Sequence, residues 1–304
     1  MATYRGKQYL EQQLDTILAQ TVPVRILISD DGSDDGTREM LENYAGWYPE
    51  QVFLHHRTQH TGGAAGNFFV LMQEALKKEK NEYIFFSDQD DVWENNKVSV
   101  MLHRMKVLEK GLGKQCPILL YSDMEVVDED LYEISPSFAA YTHQDPDRSS
   151  FAELLVENQV TGGASMINRA LLTHCAMEPE ICCMHDWWIA LIASAFGRII
   201  YLDEPLLLYR QHTGNVVGGS SRSHYITNRV KHLTAQRQVL YDTCKQAEVF
   251  LTIYNDQLTE TQKRLVSLFA GLPSANWFTR RYLILRYHFL KSGLLRNLGV
   301  LLII

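Results

Sequence analysis

Twice within its first ninety residues the chain repeats one local pattern, a short apolar run that ends abruptly in acids. Val24 to Ser29 leads into Asp30-Asp31-Gly32-Ser33, and Tyr83 to Ser87 leads into Asp88-Gln89-Asp90-Asp91. Segments with helical spacing lie between and around these runs. Residues 7–20 carry Leu10, Leu14, Ile17 and Leu18 on one face, 37–48 carry Met40, Leu41 and Tyr44, and 66–79 carry Phe69, Leu71, Met72, Ala75 and Leu76. A short strand at Val52 to His55, a helix over 95–109 and a strand over 118–122 continue the series. Strands alternating with helices predict right-handed crossovers and a mostly parallel, Rossmann-like α/β sheet, with ligands bound beyond the carboxyl ends of its strands. Both acid clusters sit at such ends. Residues 123–147 read as an irregular polar rim, and the α/β pattern fades after about residue 215.

At 304 residues and 46% apolar composition the chain can bury a full core and lies near the upper size for one domain. Its formal charge of −7 argues against a nucleic acid partner. Five cysteines, odd in number and without a Cys-x-x-Cys pair, predict reduced thiols and no zinc site. Neither a signal peptide nor a run of about 18 apolar residues is visible. A cytoplasmic protein, peripheral at most on the cytoplasmic face of the cell membrane, is therefore expected.

A strand that ends in Asp-x-Asp-Asp crowds carboxylates whose repulsion is costly unless a cation neutralises it. Hard oxygen ligands select Mg2+ or Mn2+, ions that retain water and accept substrate phosphates. The same residue types also make ordinary solvated turns, and Asp35 or Thr37 alone could cap the next helix. Two acid-rich turns after two strands of one sheet describe more than that, a base-and-ribose site beside a metal-diphosphate site.

Ala2-Thr3-Tyr4-x-Gly6, Asp30-Asp31-Gly32-Ser33-x-Asp35-Gly36-Thr37 and Ser87-Asp88-Gln89-Asp90-Asp91-Val92-Trp93 resemble glycosyltransferase family 2 in order and spacing. Thr161-Gly162-Gly163, His185-Asp186-Trp187-Trp188 and Tyr209-Arg210-Gln211-His212 extend the resemblance to bacterial rhamnosyltransferases of cell-wall and capsule polysaccharide synthesis. The resemblance covers about residues 1–218. It implies a GT-A fold over 1–218, the nucleotide-sugar-binding and catalytic domain, followed by a helical C-terminal extension over 219–304. It also implies a missing first strand, since Met1 stands where that strand should end; either the true start lies upstream or the chain lacks the strand. Arg5 stands where the family usually has Asn.

The same resemblance implies roles. Asp31, with Asp30 beside it and Thr3 and Tyr4 lining the pocket, would contact the nucleobase. Asp88 would face the ribose or the metal's water shell, Asp90 would ligate the metal and Asp91 would support it. Asp186 would be the general base that takes the acceptor hydroxyl proton, unless it is a plain helix N-cap. His212 would reach the metal or the diphosphate, and Arg210 the diphosphate. Gly162, Gly163, Trp187 and Trp188 would form the acceptor side, although at least one tryptophan is expected in the core.

These residues predict an inverting, metal-dependent glycosyltransferase. The resemblance names L-rhamnose from dTDP-L-rhamnose as donor and a lipid-linked saccharide as acceptor, in surface polysaccharide biosynthesis. A UDP-hexose or UDP-N-acetylhexosamine transferase of the same fold is one alternative, and an inactive scaffold or binding protein is another. From Tyr225 onward the pattern is helical, and residues 277–304 mix aromatic, aliphatic and basic side chains. That mixture suits either peripheral membrane contact or a helix hairpin closing over the core.

Overall fold

The structure is a computed structural model that describes residues 1–56, 60–175, 177–212 and 233–304, with backbone alone at 233–235. A two-residue β1 (Ala2–Thr3) opens the chain, followed by α1 (Lys7–Leu18), β2 (Ile26–Asp30), α2 (Thr37–Trp47) and β3 (Val52–Leu54). Strands β1, β2 and β3 pair in parallel in that order, as the alternation predicts. α3 (Ala64–Leu76) then leads to β4 (Tyr83–Phe85), β5 (Val92–Trp93) and α4 (Lys97–Leu112).

The second half is mixed. β6 (Ile118–Val127) is followed by β7 (Glu133–Ser135), α5 (Phe138–Thr142), α6 (Phe151–Leu154), β8 (Ser165–Asn168), α7 (Arg169–His174), α8 (His185–Phe196) and β9 (Arg198–Arg210). The strands run in the order β4-β8-β6-β9-β5, with β7 against β6. Only β6 and β9 pair in parallel there, so the mostly parallel expectation holds for the first sheet and not for the second. β6 is central and almost wholly buried, and it runs five residues past the expected end at 122. The polar Asp123 looked like the start of a loop. Its buried carboxylate instead accepts N–H bonds from Met124, Phe138 and Ala139 and the Ser137 hydroxyl, which holds the start of α5 against the strand. The expected irregular rim is therefore partly strand and helix.

The expectation of a missing first strand needs correction. Its final two residues are present and pair Ala2 with Ser29 and Thr3 with Asp30, while the Met1 amine donates to the Leu27 carbonyl. N-terminal to that stub, β2 and β4 face each other across a cleft of about 400 Å³, lined by Val24, Ile26, Leu71, Met72, Ile84 and Phe86 among others. Before Leu27 the β2 edge facing the cleft has no strand partner among the described residues, and β4 pairs only with β8 there. Two open strand edges and an apolar lining are the features of a strand-sized gap.

α9 (Leu233–Tyr254), α10 (Glu260–Ala270), α11 (Trp277–Arg286) and α12 (Leu294–Ile303) complete the chain. Leu240, Phe250, Val266, Phe269, Ile284 and Val300 join α3 and α8 in one apolar cluster, so the helical extension shares its core with the sheet-bearing part. The expected boundary at 218/219 and the onset of helix at Tyr225 lie outside the described residues. All five cysteines are free, as expected.

The gap generates a prediction. Fusing an apolar, β-branched segment of about five residues ahead of Met1 buries apolar surface and pairs two open edges, and should raise Tm by several degrees in scanning calorimetry. An unchanged Tm would show that the cleft does not receive a strand.

Candidate active site

The first acid turn is built by one carboxylate. Asp30 accepts from the backbone N–H groups of Gly32 and Ser33 and from the hydroxyls of Ser33 and Thr3, with Arg38 3.4 Å away. These bonds leave Asp30 as the brace of the turn. Asp31 projects beyond it, its Oδ1 accepting the Thr61 N–H at 2.6 Å and its carbonyl lying 2.6 Å from His60 Nδ1. Thr3 is buried under the turn, whereas Tyr4 is half exposed beside it. Arg5 follows with φ 48°. That left-handed conformation is one Asn adopts more readily than Arg, which accounts for the Asn usual at this place in the family pattern.

Gln89 joins this turn to the second acid cluster. Its amide accepts the Tyr4 N–H at 2.8 Å and donates to the Tyr4 carbonyl at 2.9 Å. From the other side the buried Gln13 of α1 donates to Ser87 Oγ and to the Asp88 carbonyl. The two acid turns at the ends of β2 and β4 thus form one surface.

Within the second cluster the carboxylates are crowded. Burial, then the fields of Asp90 and Asp186, push the Asp88 carboxyl well above the usual range, and Asp91 is raised by burial and by both neighbours. Lys97, fully buried at the start of α4, is the cation among them. Its ammonium donates to the Gly163 carbonyl at 2.6 Å and lies 3.8 Å from the Trp93 ring centre. Burial lowers its pKa while Asp91 and Asp88 oppose that shift.

His212, just beyond β9, lies with Nε2 2.9 Å from Asp90 Oδ2. Among the described residues no three His, Cys, Asp or Glu side chains converge on one metal position. Asp90, His212 and the raised, crowded carboxylate beside them are donor types that fit a hard cation completing its shell with water and ligand oxygens. Arg210, the last residue of β9, is buried. It donates to the carbonyls of Asp90 and Glu129 and to Gln12 Oε1, and stacks its guanidinium 4.6 Å from the Tyr9 ring centre. It braces the Asp90 turn from beneath.

The Thr161-Gly162-Gly163 turn separates this cluster from Asp186. A Cβ at Gly163 would lie 3.0 Å from Asp91 Oδ2 and 3.1 Å from Asp88 Oδ2, and one at Gly162 would lie 2.9 Å from His185 Nε2. Both glycines are thus needed because the backbone threads between the acid cluster and α8. Asp186, in the first turn of α8, is held by three donors: Gly162 N–H at 3.1 Å, Trp187 N–H at 2.6 Å and Asn158 Nδ2 at 3.1 Å. Burial nevertheless raises its pKa to about 6. His185 stacks on Phe68 at 3.9 Å and is kept neutral by burial, its pKa lowered to about 3.

Residues 1–117 match the model of the family described as glycosyl transferase family 2. The chain is 28% identical over 232 residues to a dTDP-rhamnosyl transferase, RfbG, of Shigella flexneri, covering 72% of this chain and 74% of that protein. It is 24% identical to the putative glycosyltransferase EpsH of Bacillus subtilis, covering 71% of this chain and 61% of that one. Residues 1–117 are a glycosyltransferase family 2 domain. Solved structures agree on the fold: S. aureus TarS 1–349 in complex with UDP superposes with a TM-score of 0.51 at 16% identity, covering 89% of this chain and 68% of that one. A mannosyltransferase from Pyrobaculum calidifontis, in complex with GDP-Man and Mn2+, does so at 0.53 and 16% identity, covering 99% and 76%. The fold of this glycosyltransferase is GT-A.

One residue expected on the acceptor side of the glycosyltransferase is not there. Trp188 is fully buried, packed on Phe250 and Tyr254, so it is a core residue of α8. Trp188 follows Asp186 by two residues, about 200° around the helix, so the two side chains leave α8 on opposite sides. Trp187 is partly buried and donates its indole N–H to the Leu154 carbonyl. Gln13, Lys97 and Asn158 were missed. Each reads alone as an ordinary helix or loop residue; only the fold brings them against the acids.

Replacing Lys97 with Met should remove its ammonium bond to the Gly163 carbonyl and the buried cation that opposes the raised pKa of Asp91, and cost about 1.5–3 kcal/mol of stability, measured by urea unfolding. A loss below 1 kcal/mol would remove Lys97 from this role.

Proposed function

We propose that the chain transfers L-rhamnose from dTDP-L-rhamnose to the sugar hydroxyl of a lipid-linked saccharide, with inversion, during surface polysaccharide assembly. That it is a glycosyltransferase rests on its family 2 domain and on its relatives. The rhamnosyl donor is supported by the likeness to RfbG, named for that substrate. The observation that carries the mechanism is Asp186, held by three donors across the Gly162-Gly163 turn from the acid cluster.

In this reading the nucleobase lies by Asp31 and Tyr4, and the diphosphate by Asp88 and Asp90. The acceptor hydroxyl oxygen attacks the anomeric carbon as the bond from that carbon to the diphosphate oxygen breaks. Asp186 takes the hydroxyl proton. One displacement inverts the centre and requires no nucleophilic carboxylate. The three hydrogen bonds favour the ionised form of Asp186 and fix its direction, while burial raises its basicity toward that of a useful base. Asn158 is a positioning residue, since among the described residues its side-chain hydrogen bonds go to Asp186 and the Val160 backbone. Asp90 and His212 would hold a divalent cation, Mn2+ or Mg2+, which would offset charge on the departing diphosphate.

Asp186→Asn should lower transfer by roughly 10²- to 10⁴-fold with little change in donor affinity. Because only the ionised carboxylate accepts a proton, kcat/KM should fall as pH drops through about 6. Asn158→Ala removes a donor to that ionised form and should move this limb upward. A limb left in place by Asn158→Ala would mean that Asp186 is not the group titrating.

Calorimetric titration with dTDP-L-rhamnose, UDP-glucose and UDP-N-acetylglucosamine, each with Mn2+ and with chelator, tests donor and metal together. Tight, metal-dependent binding of dTDP-L-rhamnose alone is expected. Preference for a UDP-sugar would reassign the donor within the same chemistry, and equal binding in chelator would remove the metal.

A further inference from the structure

The chain's charge is sharply segregated. Of its 29 Lys and Arg, seven fall within residues 261–304, a stretch with none of its 36 Asp and Glu, leaving 22 basic against 36 acidic residues in 1–260. The same stretch carries the two helices whose outer faces are apolar.

α11 meets the core through the buried Ile284, and the buried Phe289 just beyond it anchors the following turn. Its outer side presents Phe278, Tyr282 and Leu285 at helical spacing, and Trp277 is exposed at its first turn, all at 55–78% exposure. α12 repeats the arrangement. Val300 and Ile304 face inward, and Leu294, Leu295, Leu298 and Leu302 face outward at 57–85% exposure. A helix whose outer side met only water would carry polar residues there.

The cations divide into two groups. Arg296 is bound to Glu157 and to the Thr142 carbonyl, and Arg280 to the carbonyls of Ala275 and Pro273, so these four contacts pin the helices down. Arg281 and Arg286 are different. The first lies 3.8 Å over the Trp277 ring and the second 5.6 Å from the Tyr287 ring, and among the described residues neither is paired with a carboxylate.

We propose that the outer faces of α11 and α12 dock the protein on an anionic phospholipid surface, with the apolar stripes in the headgroup boundary and Arg281 and Arg286 on lipid phosphates. Net positive charge in an otherwise acidic protein orients the docking, because the rest of the molecule is repelled by the same surface. Indole and phenol rings flanked by arginine suit that boundary. Each helix has ten residues, about 15 Å, against about 30 Å of hydrocarbon, so these helices lie along the surface. No helix among the described residues is long and apolar enough to cross a membrane. The inference rests on this surface and not on the donor, the acceptor or the base.

Flotation of the full chain with phosphatidylcholine vesicles, with and without phosphatidylglycerol, tests it. Recovery with the anionic vesicles is expected, and should weaken as salt is raised. Arg281→Gln with Arg286→Gln should reduce that affinity by roughly tenfold. Phe278→Ser with Leu294→Ser and Leu298→Ser should abolish flotation, while thermal melts and donor titration stay at the wild-type values because these side chains are exposed. Failure of the wild type to float, or flotation unaffected by both sets of changes, would overturn the proposal. A dimer in sedimentation that the serine variant dissolves, without flotation, would also overturn it and assign the stripes to a second copy of the chain.

Discussion

Four carboxyl groups brought into one small volume are the constraint on which this structure turns. Asp88, Asp90 and Asp91 crowd one turn, Asp186 lies near Asp88 from the start of α8, and burial raises the cost of ionising Asp88, Asp91 and Asp186. Lys97 opposes that cost from within, and His212 faces Asp90 from the rim. The Gly162-Gly163 turn has to be slender because it passes between the acids on one side and His185 with Asp186 on the other.

The surrounding polar side chains make the two acid turns act as one body. Gln13 reaches from α1 to the Ser87 and Asp88 turn, and Gln89 of that turn reaches back to both backbone groups of Tyr4. Arg210 ties β9 to the Asp90 carbonyl, α1 and the loop at Glu129. Asp30 is held by its own turn and by Thr3, while Asp31 projects beyond it to the Thr61 N–H. The placement of the two acid turns therefore rests on side-chain amides and one buried guanidinium more than on the acids themselves.

The C-terminal helices are part of the same economy of packing. Phe250 and Tyr254 of α9 close over Trp188, the residue that seats the first turn of α8 and so the direction of Asp186. A helical segment that looks like an appendage in the chain thus supports Asp186 from behind, and its later helices carry an exposed apolar outer side.

Much of this was legible in the chain alone. Alternation of apolar runs and helical periodicity identified the α/β class. The acid turns at strand ends, with the glycines and the His-Asp-Trp-Trp segment, marked the candidate residues, because these signals are local and depend on neighbours within a few positions. The tertiary structure decided what depends on distance across the chain. Lys97 lies 66 residues from Gly163 and Asn158 lies 28 from Asp186, and nothing near either one in sequence announces its partner. Trp187 and Trp188 are alike as letters, yet the helix turns one toward Leu154 and the other into the core. The two-residue β1 and the extension of β6 through Asp123 were also beyond local reading, since strand pairing and the capture of a buried carboxylate are settled by partners that only folding brings near.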